Sequence, residues 1–141
     1  MTMDAGSEEI ENSLGQYELE LDFKSTDADT FGLELFESET EGLVLEFDRK
    51  AQTVCLNREK FAAAFGGEFG FVRSSSLKID DTVKVQVFAD RSIAEIFIND
   101  GEVVFTARVF PKEESNGIKL FSDGKISFSY KKHELNQGIS M

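Results

Sequence analysis

From Tyr17 onward the chain alternates with a period of two: Tyr17, Leu19, Leu21 and Phe23 are interleaved with Glu18, Glu20, Asp22 and Lys24. Successive side chains of a strand point to opposite faces, so this pattern predicts a strand with one face in a core and one in water. The same alternation recurs in Phe31–Leu33–Leu35, Leu43–Leu45–Phe47 and Val83–Val85–Val87. Further strands are predicted at Thr53–Asn57, Ile93–Ile98, Val103–Val109, Ile118–Phe121 and Ile126–Tyr130. The result is about nine or more short strands at the roughly 8–12-residue spacing of an all-β sandwich or barrel. Turn residues support the count. Asp123-Gly124 and Asn99-Asp100-Gly101 each stand between apolar runs and are expected to supply the positive φ of tight hairpin turns, with Asp90-Arg91 as a third hairpin tip. A helical turn or two is expected only at Arg58–Phe65, ended by Gly66-Gly67, within one long connection from Glu59 to Leu77.

Residues 1–15 are rich in Asp, Glu, Ser and Gly and read as a solvated, flexible lead-in or linker, followed by a sandwich module over residues 16–135 and a tail over residues 136–141. Two segments break the simple alternation. In Ile93–Asn99 the face Ala94, Ile96, Ile98 suits a core, yet the other face carries Ile93 and Phe97 around Glu95. In Val103–Phe110, Val103, Phe105, Ala107 and Val109 oppose Val104, Thr106, Arg108 and Phe110. A strand apolar on both faces needs a second cover: a partner, or a loop of the same chain such as Glu59–Leu77.

At 141 residues, with 40% hydrophobic and 30% charged side chains, the chain is long enough for one domain with its own core. Its 27 acidic against 15 basic groups give a net charge of −12, which repels nucleic acid and anionic membrane surfaces alike. No apolar run approaches the roughly 20 residues of a membrane span. The start of the chain lacks the basic-then-apolar order of a secretory signal, so a cytoplasmic location is the expectation.

Candidate chemistry is sparse. His133, the single histidine, has no nucleophile pattern beside it and reads as a surface residue; Cys55 reads as a core or interface thiol. Glu8-Glu9, Glu39/Glu41, Asp80-Asp81 and Glu113-Glu114 read as surface charge, because glycosidase or metal chemistry needs carboxylates converging in a cleft. No cofactor or metal is expected. With no Trp and two Tyr, and fourteen Phe mostly at alternating strand positions, a dedicated carbohydrate-binding surface is disfavoured.

The stretch Ala89–Pro111, ADRSIAEIFINDGEVVFTARVFP, closely resembles the signature hairpins of the C-terminal β-sandwich of glycoside hydrolase family 32. The matching positions are Asp90-Arg91-Ser92, Glu95-Ile96-Phe97, Asn99-Asp100-Gly101, Thr106, Arg108 and Phe110-Pro111. Upstream, Leu56-Asn57-Arg58 is similar to an element that closes a pair of strands in the family, with sucrose-6-phosphate hydrolases and related β-fructosidases the nearest members. The resemblance implies a two-layer antiparallel β-sandwich of jelly-roll or concanavalin-like kind. It also implies a non-catalytic accessory role beside an N-terminal five-bladed propeller that carries the catalytic motifs. Those motifs are a Trp-containing Asn-Asp-Pro nucleophile segment, an Arg-Asp-Pro segment and a Glu-Cys acid/base segment. Here the one proline follows Phe110, the one cysteine follows Val54 and Trp is absent, so no catalytic residue carries over.

Under this reading, Asp90, Arg91, Glu95, Phe97, Asn99, Asp100, Gly101 and Arg108 are motif residues and candidate interface residues. Arg91, Glu95 and Arg108 are expected as a charged cluster beside the doubly apolar face. The partner is the propeller, with homo-oligomer contacts as a further expectation. The alternatives are a free-standing sugar-binding module and a self-associating module that pairs an exposed face or a sheet edge with its own copy.

Overall fold

The computed structural model describes residues 2–12, 16–25, 27–38, 42–57, 72–80, 82–90, 93–108 and 117–135. They form strands β1 (Thr2–Met3), β2 (Gly6–Asn12), β3 (Gln16–Ser25), β4 (Thr30–Glu37), β5 (Leu43–Asp48), β6 (Thr53–Asn57), β7 (Val72–Ser76), β8 (Thr82–Ala89), β9 (Ile93–Ile98), β10 (Val103–Arg108), β11 (Gly117–Ser122) and β12 (Ile126–Leu135). Sheet I has the order β1-β12-β3-β8-β9-β10 and sheet II the order β2-β11-β4-β5-β6-β7. Every pairing is antiparallel.

The nine strands expected from alternation are all present, and each turns its apolar set inward. Tyr17, Leu19, Leu21 and Phe23 of β3 are buried, as are Phe31, Leu33 and Leu35 of β4 and Val83, Val85 and Val87 of β8. The sheets interlock at three rings. Phe23 of sheet I meets Phe31 edge-on at 5.1 Å and Phe47 at 6.1 Å, while Phe31 and Phe47 of sheet II stack at 5.2 Å. Such pairs add about 0.5–1.5 kcal/mol each beyond their buried area.

Three strands carry no alternating signature, and each lies at a sheet edge. Residues 1–15, expected as a solvated lead-in, contribute β1 on the margin of sheet I and β2 on the margin of sheet II. Among their described residues, Met3 is buried and Ile10 packs against the core. Polar residues fill the rest because an edge strand has one neighbour and water on its other side. The third is β7, at the end of the expected long connection, which pairs with β6 alone. The expected helical turn at Arg58–Phe65 lies outside the described residues.

One further expectation needs correction, and another is narrowed. Gly124 does not hold a positive φ; among the described glycines only Gly6 and Gly101 do. Its requirement is proximity, since a Cβ there would lie 3.1 Å from the Asp27 backbone and 3.2 Å from Ala28 Cα. Asp123 secures the same junction by accepting hydrogen bonds from the Asp29 and Thr30 amides at 2.9 and 3.1 Å. Cys55 is half-buried on the outer face of β6 and not in the core, because Val54 and Leu56 on either side take the inward positions.

Gln52 has a role that no sequence pattern announced. It adopts φ 56° in the β5–β6 turn. Its side-chain carbonyl accepts from the Ile79 amide at 2.8 Å, and its amide nitrogen donates to the Arg49 carbonyl at 2.7 Å and the Ile79 carbonyl at 3.3 Å. One side chain thereby replaces the ladder that the segment between β7 and β8 lacks.

Leu21 and Ile96 are fully buried on the two central regions of sheet I, so Leu21→Ala or Ile96→Ala should each cost about 2–5 kcal/mol in denaturant unfolding. Losses near zero at both sites would disprove the assignment of core faces. Gly124→Ala should also destabilise, with amide shift changes centred on Asp27 and Ala28.

Candidate functional site

The motif positions divide by face and by turn. Asp90 organises the β8–β9 hairpin: its amide donates to the Ile93 carbonyl at 3.0 Å and its Oδ1 accepts from the Ile93 amide at 2.9 Å. Asn99, Asp100 and Gly101 make the β9–β10 turn with consecutive φ values of 51°, 60° and 96°. Positive φ at both central positions of Ile98–Gly101 is the mark of a type I′ turn, closed here by Gly101 N–H donating to the Ile98 carbonyl at 3.2 Å. The Asn99 amide N–H donates to the Lys84 carbonyl at 2.9 Å, and Asn99 Oδ1 accepts from the Lys84 amide at 3.0 Å, which ties the turn to β8. Four of the eight motif residues therefore shape turns.

Glu95, Phe97 and Arg108 instead stand on the outer face of sheet I. Register places Glu95 opposite Thr106 and Phe88, Phe97 opposite Val104 and Gln86, and Arg108 opposite Ile93. Glu95 and Arg108, two of the three residues expected as a charged cluster, occupy diagonal register positions on this face. Arg91, the third, lies outside the described residues, as do Phe110 and Pro111.

The doubly apolar pattern reappears as a patch on that outer face. Phe88 is 36% and Val104 49% exposed, with Phe97 and Ile93 half-buried beside them. Phe88 and Phe97 meet edge to face, centroids 5.9 Å apart. Of the long connection proposed as a cover, Val72–Ser76 is committed to sheet II as β7, and residues 58–71 lie outside the described residues.

A second polar cluster lies at the open margin where β12 of sheet I meets β2 of sheet II. Lys132, with its side chain only 10% exposed, reaches Glu134 at 2.6 Å and Glu11 at 3.5 Å and sits 5.9 Å from the Tyr17 ring centre. The Tyr130 hydroxyl is 3.2 Å from both the Ile10 carbonyl oxygen and Glu11 Oε2, to which it donates. Burial disfavours the charged form of Lys132, but the hydrogen bond and charge of Glu134, joined by Glu11, more than compensate and hold its pKa above the usual lysine value. Burial, then the charge of Glu134, pushes the Tyr17 hydroxyl upward; burial, then Glu11, does the same to Tyr130. These groups clasp the two sheets together. Among the described residues no three His, Cys, Asp or Glu side chains converge as metal ligands.

A family model for glycosyl hydrolases family 32 C terminal matches residues 2–137. The chain belongs to this family of C-terminal domains. The family 32 domain is 43% identical over 114 residues to the sucrose-6-phosphate hydrolase of Streptococcus mutans serotype c, a match spanning 81% of this chain and 23% of that protein. Its fold is similar to a region of the exo-inulinase from Aspergillus awamori, with TM-score 0.84, 26% identity, and coverage of 96% of this chain and 28% of that one. The sucrose-6-phosphate hydrolase from Lactobacillus gasseri gives TM-score 0.74 and 27% identity, with 96% and 28% covered. The domain thus spans about a quarter of the length of the curated relatives it matches.

Because Gly101 has open space around its Cβ position but φ 96°, Gly101→Ala should cost about 1 kcal/mol through backbone strain alone. Denaturant midpoints would measure this, and an unchanged midpoint would contradict it. The clasp predicts an alkaline limb of stability. Lys132, Tyr17 and Tyr130 all have raised pKa values, so the folded state retains protons that the unfolded chain gives up near pH about 10. Their contribution is complete below that pH and is lost as pH rises through the folded values. Unfolding free energy measured from neutral to strongly alkaline pH should fall more gently in Tyr17→Phe and Lys132→Met than in the parent; identical slopes would refute the clasp.

Proposed function

We propose that this family 32 domain is the non-catalytic accessory sandwich of a fructoside-cleaving glycoside hydrolase of the sucrose or sucrose-6-phosphate hydrolase type. Its role is to support an N-terminal catalytic propeller that lies outside this chain. The observation that carries the reading is one of extent: the family match runs over residues 2–137, yet the chain spans about a quarter of relatives whose names denote hydrolases of sucrose phosphate. The propeller would account for the remaining length.

The outer face of sheet I supports this assignment physically. Phe88, Ile93, Phe97 and Val104 form an apolar surface with Glu95 and Arg108 beside it, an arrangement suited to an intramolecular domain junction with an apolar centre and charged flanks. We place the propeller contact there. The motif turns at Asp90 and Asn99–Gly101 then serve to hold β8, β9 and β10 in register, so that those four apolar side chains present one continuous surface.

The purified chain should release no fructose from sucrose or sucrose 6-phosphate. Turnover that vanishes on substitution of one of its own carboxylates would overturn the accessory role. When the domain is joined to its catalytic region, Phe97→Asp and Val104→Asp should lower the thermal midpoint of the joined protein by more than they lower that of the isolated sandwich. Equal effects in both contexts would remove the contact from this face.

A further inference from the structure

The turn at Asn99–Gly101 does more than close a hairpin, because it also walls one end of a polar groove across β12, β3 and β8 on the outer face of sheet I. The groove has a volume of about 260 Å³ and is lined chiefly by Glu20, Asp22, Lys84, Gln86, Asp100 and Lys131. Two cross-strand rows make its floor: Ser129, Asp22 and Lys84 in one, and Lys131, Glu20 and Gln86 in the next. Acid and base therefore stand side by side within each row. Lys84 additionally reaches Asp100 of the overhanging turn at 3.6 Å. On its β9 side the groove gives way to an aromatic border, since Gln86 is the direct cross-strand neighbour of Phe97, which packs against Phe88.

We infer that this groove is a binding site for a neutral saccharide. Carboxylate oxygens only accept hydrogen bonds and ammonium groups only donate them, whereas a sugar hydroxyl does both. An alternating floor of the two types can thus engage adjacent hydroxyls of one ring in opposite senses. Three carboxylates against two ammonium groups line the groove, in a chain of net charge −12, so a phosphorylated sugar is repelled where a neutral one is not. The volume lies just below the roughly 300–1,000 Å³ of drug-sized ligand clefts, which fits one sugar ring or the terminal ring of an oligosaccharide. The site goes beyond the accessory role and stands whether or not that role holds, because it is built entirely from residues of this chain.

The test is an NMR titration of the full 141-residue chain, with backbone amides assigned, against fructose, a soluble fructan oligosaccharide and fructose 6-phosphate in turn. Saturable shifts on Glu20, Asp22, Lys84, Gln86 and Lys131 with fructose or the fructan are the expected result, and the tighter of the two identifies a free sugar or a chain end as the ligand. Fructose 6-phosphate should bind more weakly. Glu20→Ala and Lys84→Ala alter exposed side chains, so the fold should persist while the shifts are lost. Absent or unsaturable shifts, shifts confined to other regions, shifts that survive both substitutions, or equal or tighter binding of the phosphate would each overturn the inference.

Discussion

Everything in this molecule depends on burying one face of each sheet against the other. Two antiparallel sheets can exclude water from their facing side chains only if every internal strand delivers its apolar set to the same side. Phe23 packs edge-on against the stacked rings of Phe31 and Phe47, and β3 carries a ladder of ten residues against β12, the longest among the described residues. A one-residue slip of β3 would send Glu18, Glu20 and Asp22 inward and Leu19 and Leu21 into water, so the core itself enforces register.

Register in turn decides what the outside of the sheet can do. Once β3, β8, β9 and β10 are locked, their outward residues fall into cross-strand rows, polar across β12, β3 and most of β8, with the apolar side chains Phe88, Ile93, Phe97 and Val104 gathered toward β9 and β10. One face therefore carries both an apolar surface suited to another domain and a polar groove beside it. That placement agrees with the general tendency of ligand sites to lie near domain boundaries. The motif turns are the hardware of this arrangement. Left-handed conformations at Asn99, Asp100 and Gly101 are tolerated because the turn is tied to β8 on both sides of Lys84.

The margins of the sandwich are held by different means. Edge strands contribute few apolar contacts, so their attachment relies on polar groups withdrawn from water: Lys132 between Glu11 and Glu134, Tyr130 on the Ile10 carbonyl, and Gln52 on both backbone groups of Ile79. Partly buried, hydrogen-bonded charges interact more strongly than exposed ones, which is why the clasp rather than any surface ion pair closes the open side.

Strand periodicity along the chain was sufficient to identify nine of the strands, their inward faces, the hairpin at Asn99–Gly101 and the doubly apolar segments on β9 and β10. Each of these follows from local alternation or from turn chemistry, which neighbouring residues carry by themselves. Composition likewise set the charge, and the Ala89–Pro111 stretch pointed to the family. The edge strands β1, β2 and β7, the outward position of Cys55 and the reason for glycine at 124 were not legible. They depend on which strand lies beside which, and on how near Asp27 comes to Gly124 across nearly a hundred residues of sequence. The clasp and the groove belong to the same class. Glu11 and Lys132 stand at opposite ends of the chain, as do Asp22 and Ser129, and only the packing of sheet on sheet and strand on strand makes them neighbours.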